Sequence, residues 1–256
     1  MSLDWMIRIA EQNWPMFLRG AGITLLIALI GTIVGAIIGL LAGIIRTIPM
    51  PGRGVKRFFL KTLNVILSMY IEFFRGTPMI VQAMAIFYGA ALAFGWHINP
   101  IIAGVVIVSI NTGAYMAEIV RGGIISVDKG QFEAAQAIGM NHIQTMMNVV
   151  LPQVIRNILP ATGNQFIINI KDTAVLSVIS VTELFFQTKT VSGNNFRYFE
   201  SFFIACIIYF VMTYSITLIL RYFERKLDGS DNYMITASQI DTAEDIKRKA
   251  NHTPGM

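Results

Sequence analysis

The chain has 256 residues, 54% of them hydrophobic and only 14% charged, and its mean hydropathy is +0.59. So few polar groups cannot cover the surface of a soluble protein of this size, and composition identifies an integral membrane protein in contact with a lipid bilayer. The net charge of +5 does not mark a nucleic-acid binder, because the basic residues gather at the borders of apolar runs, where they set orientation.

One helical crossing needs about 20 predominantly apolar residues. Five spans are therefore expected, over residues 17–45, 62–92, 98–120, 161–182 and 201–222, in an all-α membrane fold. The first carries Gly31, Gly35, Gly39 and Gly43 at a strict interval of four. They form one smooth helical ridge that suits close helix packing better than a pore lining. This span is too long and too rich in glycine for a signal peptide and is expected to be retained. The second contains a polar Arg75-Gly76-Thr77 stretch before Pro78, where a kink or an interfacial turn is expected. Glu72 and Arg75 are three apart and positioned to pair on one helix, with Gln82 beyond the bend.

In the third span Asn111, Tyr115 and Glu118 fall at intervals of four and three, with Arg121 one turn further on; in the fourth, Gln165, Asn169 and Asp172 repeat the pattern beside Lys171 and Thr173. Ionisable and amide groups are expensive in a bilayer, so two such faces imply a polar-lined interior. Two readings stay open. These groups line a substrate pathway, or they neutralise one another between helices, as Glu118 with Arg121, Glu72 with Arg75 and Lys171 with Asp172. The fifth span holds the single cysteine, Cys206, expected as a buried small hydrophobe. Residues 1–225 thus make a transmembrane domain and residues 226–256 a polar tail of mixed charge, partly disordered in expectation. Within the tail, residues 241–250 suit a short helix or a dispensable extension.

Basic residues follow the first span (Arg46, Arg53, Lys56, Arg57, Lys61), surround the loop after the third (Arg121, Lys129, Arg156) and follow the fifth (Arg221, Arg225, Lys226). The connection at Gly95, Trp96 and His97 has no Lys or Arg, and that between the fourth and fifth spans has only Lys189 and Arg197. This asymmetry puts the amino terminus outside and the carboxyl terminus in the cytoplasm.

The loop of about residues 130–152 is cytoplasmic by the same reasoning. Glu133, Ala134, Ala135 and Ala137 favour helix, Gly139 suits a stop, and Ile143 to Val150 suit the start of a second short helix before Pro152. Small side chains at Ala134, Ala135 and Gly139 permit close approach of another protein; the alternative is an ordinary connector. The spacing Glu133-Ala-Ala135, Gly139, Val149, Leu151-Pro152 resembles the EAA loop of ATP-binding-cassette importer permeases, with Val149 in place of the usual Ile.

No GxxxxGK[ST] sequence is present, so nucleotide phosphates need a separate subunit. His97, His142 and His252 are far apart in sequence and no HExxH or cysteine pair occurs, so neither a metal site nor catalytic chemistry is expected of this chain. His142 suits a surface or contact residue.

Residues 70–78 (YIEFFRGTP) with Gln82, residues 114–123 (AYMAEIVRGG) leading into Glu133-Ala-Ala135, and residues 171–177 (KDTAVLS) resemble the polar amino-acid uptake permeases that include the histidine, glutamine and arginine permeases. The likeness covers about residues 17–225. It implies the type I importer fold in a bacterial cytoplasmic membrane: a pair of permease subunits, identical or homologous, each with a five-helix core. It also implies two cytoplasmic ATPases that hold ATP and Mg, and an extracytoplasmic binding protein that delivers the amino acid. By the same resemblance Glu133, Ala134, Ala135 and Gly139 contact the ATPase, Leu151 and Pro152 close the motif, and transport proceeds by alternating access. A channel or ion-coupled secondary transporter is the alternative, with the intramembrane charges as ion sites. The absence of a visible inverted repeat speaks against it. A membrane enzyme or scaffold ranks last.

Overall fold

The computed structural model describes residues 3–228. Met1–Leu220 form one compact unit and Arg221–Met256 a second, of which only the final turns of the last helix are described. The expectations for the tail beyond residue 228, including a helix at 241–250, lie outside the described residues.

Among the described residues every regular element is helical: α1 Leu3–Thr47, α2 Val55–Gly76, α3 Met79–Phe94, α4 Pro100–Ile125, α5 Lys129–Ala137, α6 His142–Thr145, α7 Leu151–Asp172, α8 Leu184–Asn195 and α9 Tyr198–Asp228. A π turn, Met146–Val150, joins α6 to α7, and a 3-10 turn, Thr173–Ile179, follows α7. α1 starts well before the expected residue 17, because Met6 and Ile9 in its first turns are already buried. Ile9 and Phe17 pack with Leu184 and Val191 of α8.

The organising contact is a seam between α1 and α4. A Cβ added at Gly31 would lie 2.5 Å from Val108 Cγ1, at Gly35 2.6 Å from Thr112 Cβ, at Gly39 2.7 Å from the Met116 carbonyl carbon, and at Gly43 2.6 Å from Val120 Cγ1. Each step of four on α1 meets a step of four on α4, which is the close approach that small residues permit between membrane helices. The glycine ridge is thus a packing device. Residue numbers rise together on both sides of the seam, so α1 and α4 run parallel.

Between them the chain returns once. Ile71 of α2 packs with Ala117, Tyr70 donates to Ile110 O at 2.6 Å, and Ala83 of α3 packs with Ala103 and Ile107. Moving forward along α2 and α3 therefore moves backward along α4. The expected kink at Pro78 is a full break: α2 and α3 are bent by 114°. Leu176 within the 3-10 turn and Val181 just past it pack at the opposite end of α4 from Val154 and Ile158 of α7. Gly123 faces Ile158 Cγ2 at 2.7 Å and Gly104 faces Leu176 Cδ1 at 3.1 Å, so α7 and its 3-10 turn run antiparallel beside α4 for nearly its whole length.

The expected all-α membrane fold is observed, but its spans differ in apolar character. Among the described residues three helices are long and apolar enough to cross a membrane by length and composition, α1, α4 and Tyr198–Lys226 of α9, and the bent α2–α3 pair makes up to four. The segment 161–182 is not among them. Its helix turns Gln165 and Asn169 inward and ends at Lys171-Asp172, so its mean character is too polar although its position in the bundle is that of a span. Cys206 is corrected: it is exposed, because α9 presents most of its surface outward, including Ile207, Phe210, Val211, Tyr214 and Leu218.

Candidate functional site

Two regions carry the chemistry expected from the sequence. The first is the segment between α4 and α7. Asp128 caps α5, its carboxylate accepting from Gly130 N–H at 2.7 Å. The helix closes at Gly139, whose φ of +80° suits glycine; Gly139 N–H donates to Gln136 O at 2.9 Å and Met140 N–H to Ala135 O at 3.0 Å, a Schellman closure. α6 opens with a reciprocal capping box, in which Gln144 N–H donates to Asn141 Oδ1 and Asn141 N–H to Gln144 Oε1, each at 2.9 Å. The expected stop at Gly139 and restart near Ile143 are therefore observed.

From α6 the helical path continues through the π turn into α7 and past Pro152. At the π turn Leu151 N–H reaches back five residues to Met146 O, and Pro152 has no N–H to donate, so the wider turn sits where the ladder is already interrupted. The Gln153 side chain donates to Val149 O at 2.9 Å. Leu151 is buried with Met146, Val150 and Val154 against Met116 and Val120. Leu151 thus anchors the segment, while Pro152 faces out.

Within this segment Glu133, Ala134 and Gly139 are exposed, and Ala135 is buried at 3% exposure. Ala135 therefore faces this chain's own interior. Phe132 packs inward on the same core. In the same stretch of chain Ile138, Ile143 and Met147 are open, at 78%, 73% and 60% exposure. The sequence did not single these out as contact residues, because isolated apolar side chains in a polar loop carry no period. His142 is exposed, as expected.

The second region is the interior. The six polar residues expected to share a lining do not form one cluster. Asn169 Nδ2 donates to Thr32 Oγ1 at 2.7 Å and to Thr112 Oγ1 at 2.9 Å, and Gln165 Nε2 donates to Asn169 Oδ1 at 3.2 Å. This buried knot ties α1, α4 and α7 together. Asn111 serves the helix break instead. Pro78 cannot donate to Phe74 O, the acceptor four residues back, and Gln82 Nε2 takes that carbonyl at 2.9 Å while also reaching Thr77 O at 2.9 Å. Asn111 Nδ2 then donates to Gln82 Oε1 at 2.9 Å. Satisfying these carbonyls internally is what allows a broken helix at membrane depth.

Glu118 bridges two arginines. It accepts from Arg46 of α1 and from Arg121, the latter at 2.9 Å. Pairing with Arg121 was legible from spacing; Arg46 was visible only as a border charge, since its partner lies 72 residues away. Among the described residues Glu72 and Arg75 form no ion pair, and neither do Lys171 and Asp172. The Arg75 guanidinium lies 5.6 Å from the centroid of the Tyr115 ring, a cation–π contact. Tyr115 is partly open and Asp172 and Lys171 are exposed.

Comparison with known proteins agrees with this geometry. Residues 52–229 match the family described as binding-protein-dependent transport system inner membrane component. The chain is 40% identical over 231 residues to the glutamine transport system permease protein GlnP of Escherichia coli (strain K12), a match covering 89% of this chain and 99% of that one. It is 33% identical to the arginine transport system permease protein ArtQ of Bacillus subtilis (strain 168), over 90% of this chain and 100% of the relative. A chain from the crystal structure of an amino acid ABC transporter with histidines superposes with a TM-score of 0.77 at 38% identity, over 88% of this chain and 100% of that one. The MetNI methionine ABC transporter in an inward-facing conformation shares the fold, with a TM-score of 0.68 at 19% identity over 90% of this chain and 100% of that one. The chain belongs to the inner membrane components of binding-protein-dependent transport systems and is an ABC transporter permease.

Proposed function

We propose that this permease moves a polar amino acid across the bacterial cytoplasmic membrane as a multi-pass subunit of an ATP-driven importer. Its partners are a second permease, identical or homologous, two cytoplasmic ATPases that hold ATP and Mg, and an extracytoplasmic binding protein that delivers the substrate. The substrate class rests on the glutamine and arginine transport systems named for the relatives and on the amino acid ABC transporter solved with histidines. The observation that carries the coupling role is the α5–α6 segment and the turn after it, where small residues and the apolar side chains of Ile138, Ile143 and Met147 are exposed among the described residues.

In this reading the amino terminus lies outside and the α5–α6 segment in the cytoplasm. Glu133, Ala134 and Gly139 meet the ATPase, with Ile138, Ile143 and Met147 in the same stretch of chain, while Ala135 and Leu151 hold the segment to the bundle and Pro152 marks the exit into α7. ATP binding would draw two such segments together and open the interior outward; hydrolysis would reset it. The chain itself transmits motion and performs no bond chemistry. Asn111, Tyr115, Glu118, Gln165, Asn169 and Asp172 belong to the walls of the pathway. Tyr115 and Asp172 present open polar surface to substrate, and the other four hold the helices that frame it.

The test is uptake by proteoliposomes holding the permease, its ATPase and its binding protein, across a panel of labelled amino acids, with Glu133→Ala alongside. We expect uptake that needs ATP and binding protein and that the variant lowers about tenfold, the effect of removing an interface anchor worth about 1.4 kcal/mol. Flux that persists without the ATPase would establish a channel or ion-coupled transporter instead.

A further inference from the structure

The most basic surface of the described chain is not in the α5–α6 segment. It lies where α2 begins. Arg53, Lys56, Arg57 and Lys61 are all exposed, and none of the four forms an ion pair among the described residues. No acidic residue occurs between Glu11 and Glu72, so no counter-charge lies near these cations in sequence.

The same turns carry exposed apolar side chains: Val55 at 85%, Phe58 at 74% and Phe59 at 67% exposure. The apolar stripe continues down α2 through exposed Val65, Ile66, Met69 and Phe73. Arg57, Lys61 and Asn64 follow at intervals of four and three on an adjacent face. The entry to the helix is a fixed turn, in which Gly54 adopts φ +105° and Arg57 Nη1 donates to Gly52 O at 2.6 Å. A helix with aromatic and aliphatic groups on one side and cations beside them at its mouth is built for the boundary between acyl chains and headgroups.

We propose that the first turns of α2, Arg53 to Lys61, are a binding site for anionic phospholipid. Phe58 and Phe59 enter the acyl boundary, and the four cations engage headgroup phosphates. A protein surface would have to bury both phenylalanines and supply four negative charges; an acidic leaflet offers both at one depth. The site depends neither on the orientation nor on the substrate proposed above.

The test uses the purified permease, alone and with its ATPase, and spin-labelled phosphatidylglycerol against spin-labelled phosphatidylcholine, comparing their association with the protein by electron spin resonance. One variant is Arg53→Gln/Lys56→Gln/Arg57→Gln/Lys61→Gln. Each cation at an anionic surface contributes about fivefold at most, so we expect a several-fold preference for phosphatidylglycerol that falls to about one in the variant. On the wild-type protein, raising salt toward 1 M, where the screening length is about 3 Å, should erase most of the same preference, which keeps the test decisive if the variant fails to fold. Equal association of the two lipids with the wild-type protein, or a preference unmoved by both variant and salt, would overturn the proposal. So would a preference present in the isolated permease and absent in the complex, since that would assign the surface to the ATPase.

Discussion

The α1–α4 seam and the α5–α6 segment are made of the same small residues put to opposite use. At Gly31, Gly35, Gly39 and Gly43 the missing side chain is already replaced by atoms of α4. At Gly139 no atom lies within 4 Å of an added Cβ, and Ala134 is open as well. A small residue in filled space records a contact within the chain; a small residue in open space leaves room for a partner, or serves a turn. Ala135 sharpens the distinction, because it sits in the motif beside Ala134 yet belongs to the filled class.

The sharpest way to break this comparison is Gly39→Val. Its Cβ would meet Met116 backbone, which cannot swing aside, so we expect about 3 kcal/mol of destabilisation from overpacking, or loss of monodisperse protein. Gly22→Ala on the same helix has nothing within 4 Å and should change stability by no more than about 0.5 kcal/mol. Thermal unfolding by fluorescence size-exclusion compares the two, and equal behaviour would mean that the seam is not tight. A smaller effect is expected at the knot. Asn169→Leu removes the amide that bridges Thr32 and Thr112, and we expect a loss of about 1–2 kcal/mol in the same assay, in keeping with hydrogen bonds between membrane helices.

A modest effect on stability sharpens the other side. Gly139→Ala places a side chain at φ +80° in open space, with strain of about 1 kcal/mol. The bundle should melt nearly unchanged while ATP-driven uptake falls more than stability does. An equal fall in both would place Gly139 with the seam glycines, as a structural residue only.

The sequence made α1, α4 and α9 legible because their apolar runs are long, and it made the glycine ridge legible because its interval of four is a helical repeat. The break at Pro78 was legible from chemistry, since proline cannot donate. The residues that repair it were not, because the pairing of Gln82 with Asn111 depends on how two helices lie against each other. The fourth expected span is less apolar than the others for a related reason. A helix that turns amides inward to neighbouring helices is not apolar by composition, and a count of hydrophobic residues cannot see what surrounds it. In the candidate site, Glu133 and Gly139 were readable from spacing, whereas Ile138, Ile143 and Met147 became visible only once the structure left each of them exposed.

The π turn at Met146–Val150 gives the α5–α6 segment unlike roots. One root is α4, clamped along four helical turns by α1 and reached after the short link Ser126-Val127-Asp128. The other is α7, entered through a stretch of helix already wound too wide, with Pro152 at its mouth and Pro160 further in. The segment is thus held on one side by a close-packed helix pair and on the other by a helix with a widened turn at its root; in the coupling role proposed above, the first would carry a push as tilt and the second would take it up as twist.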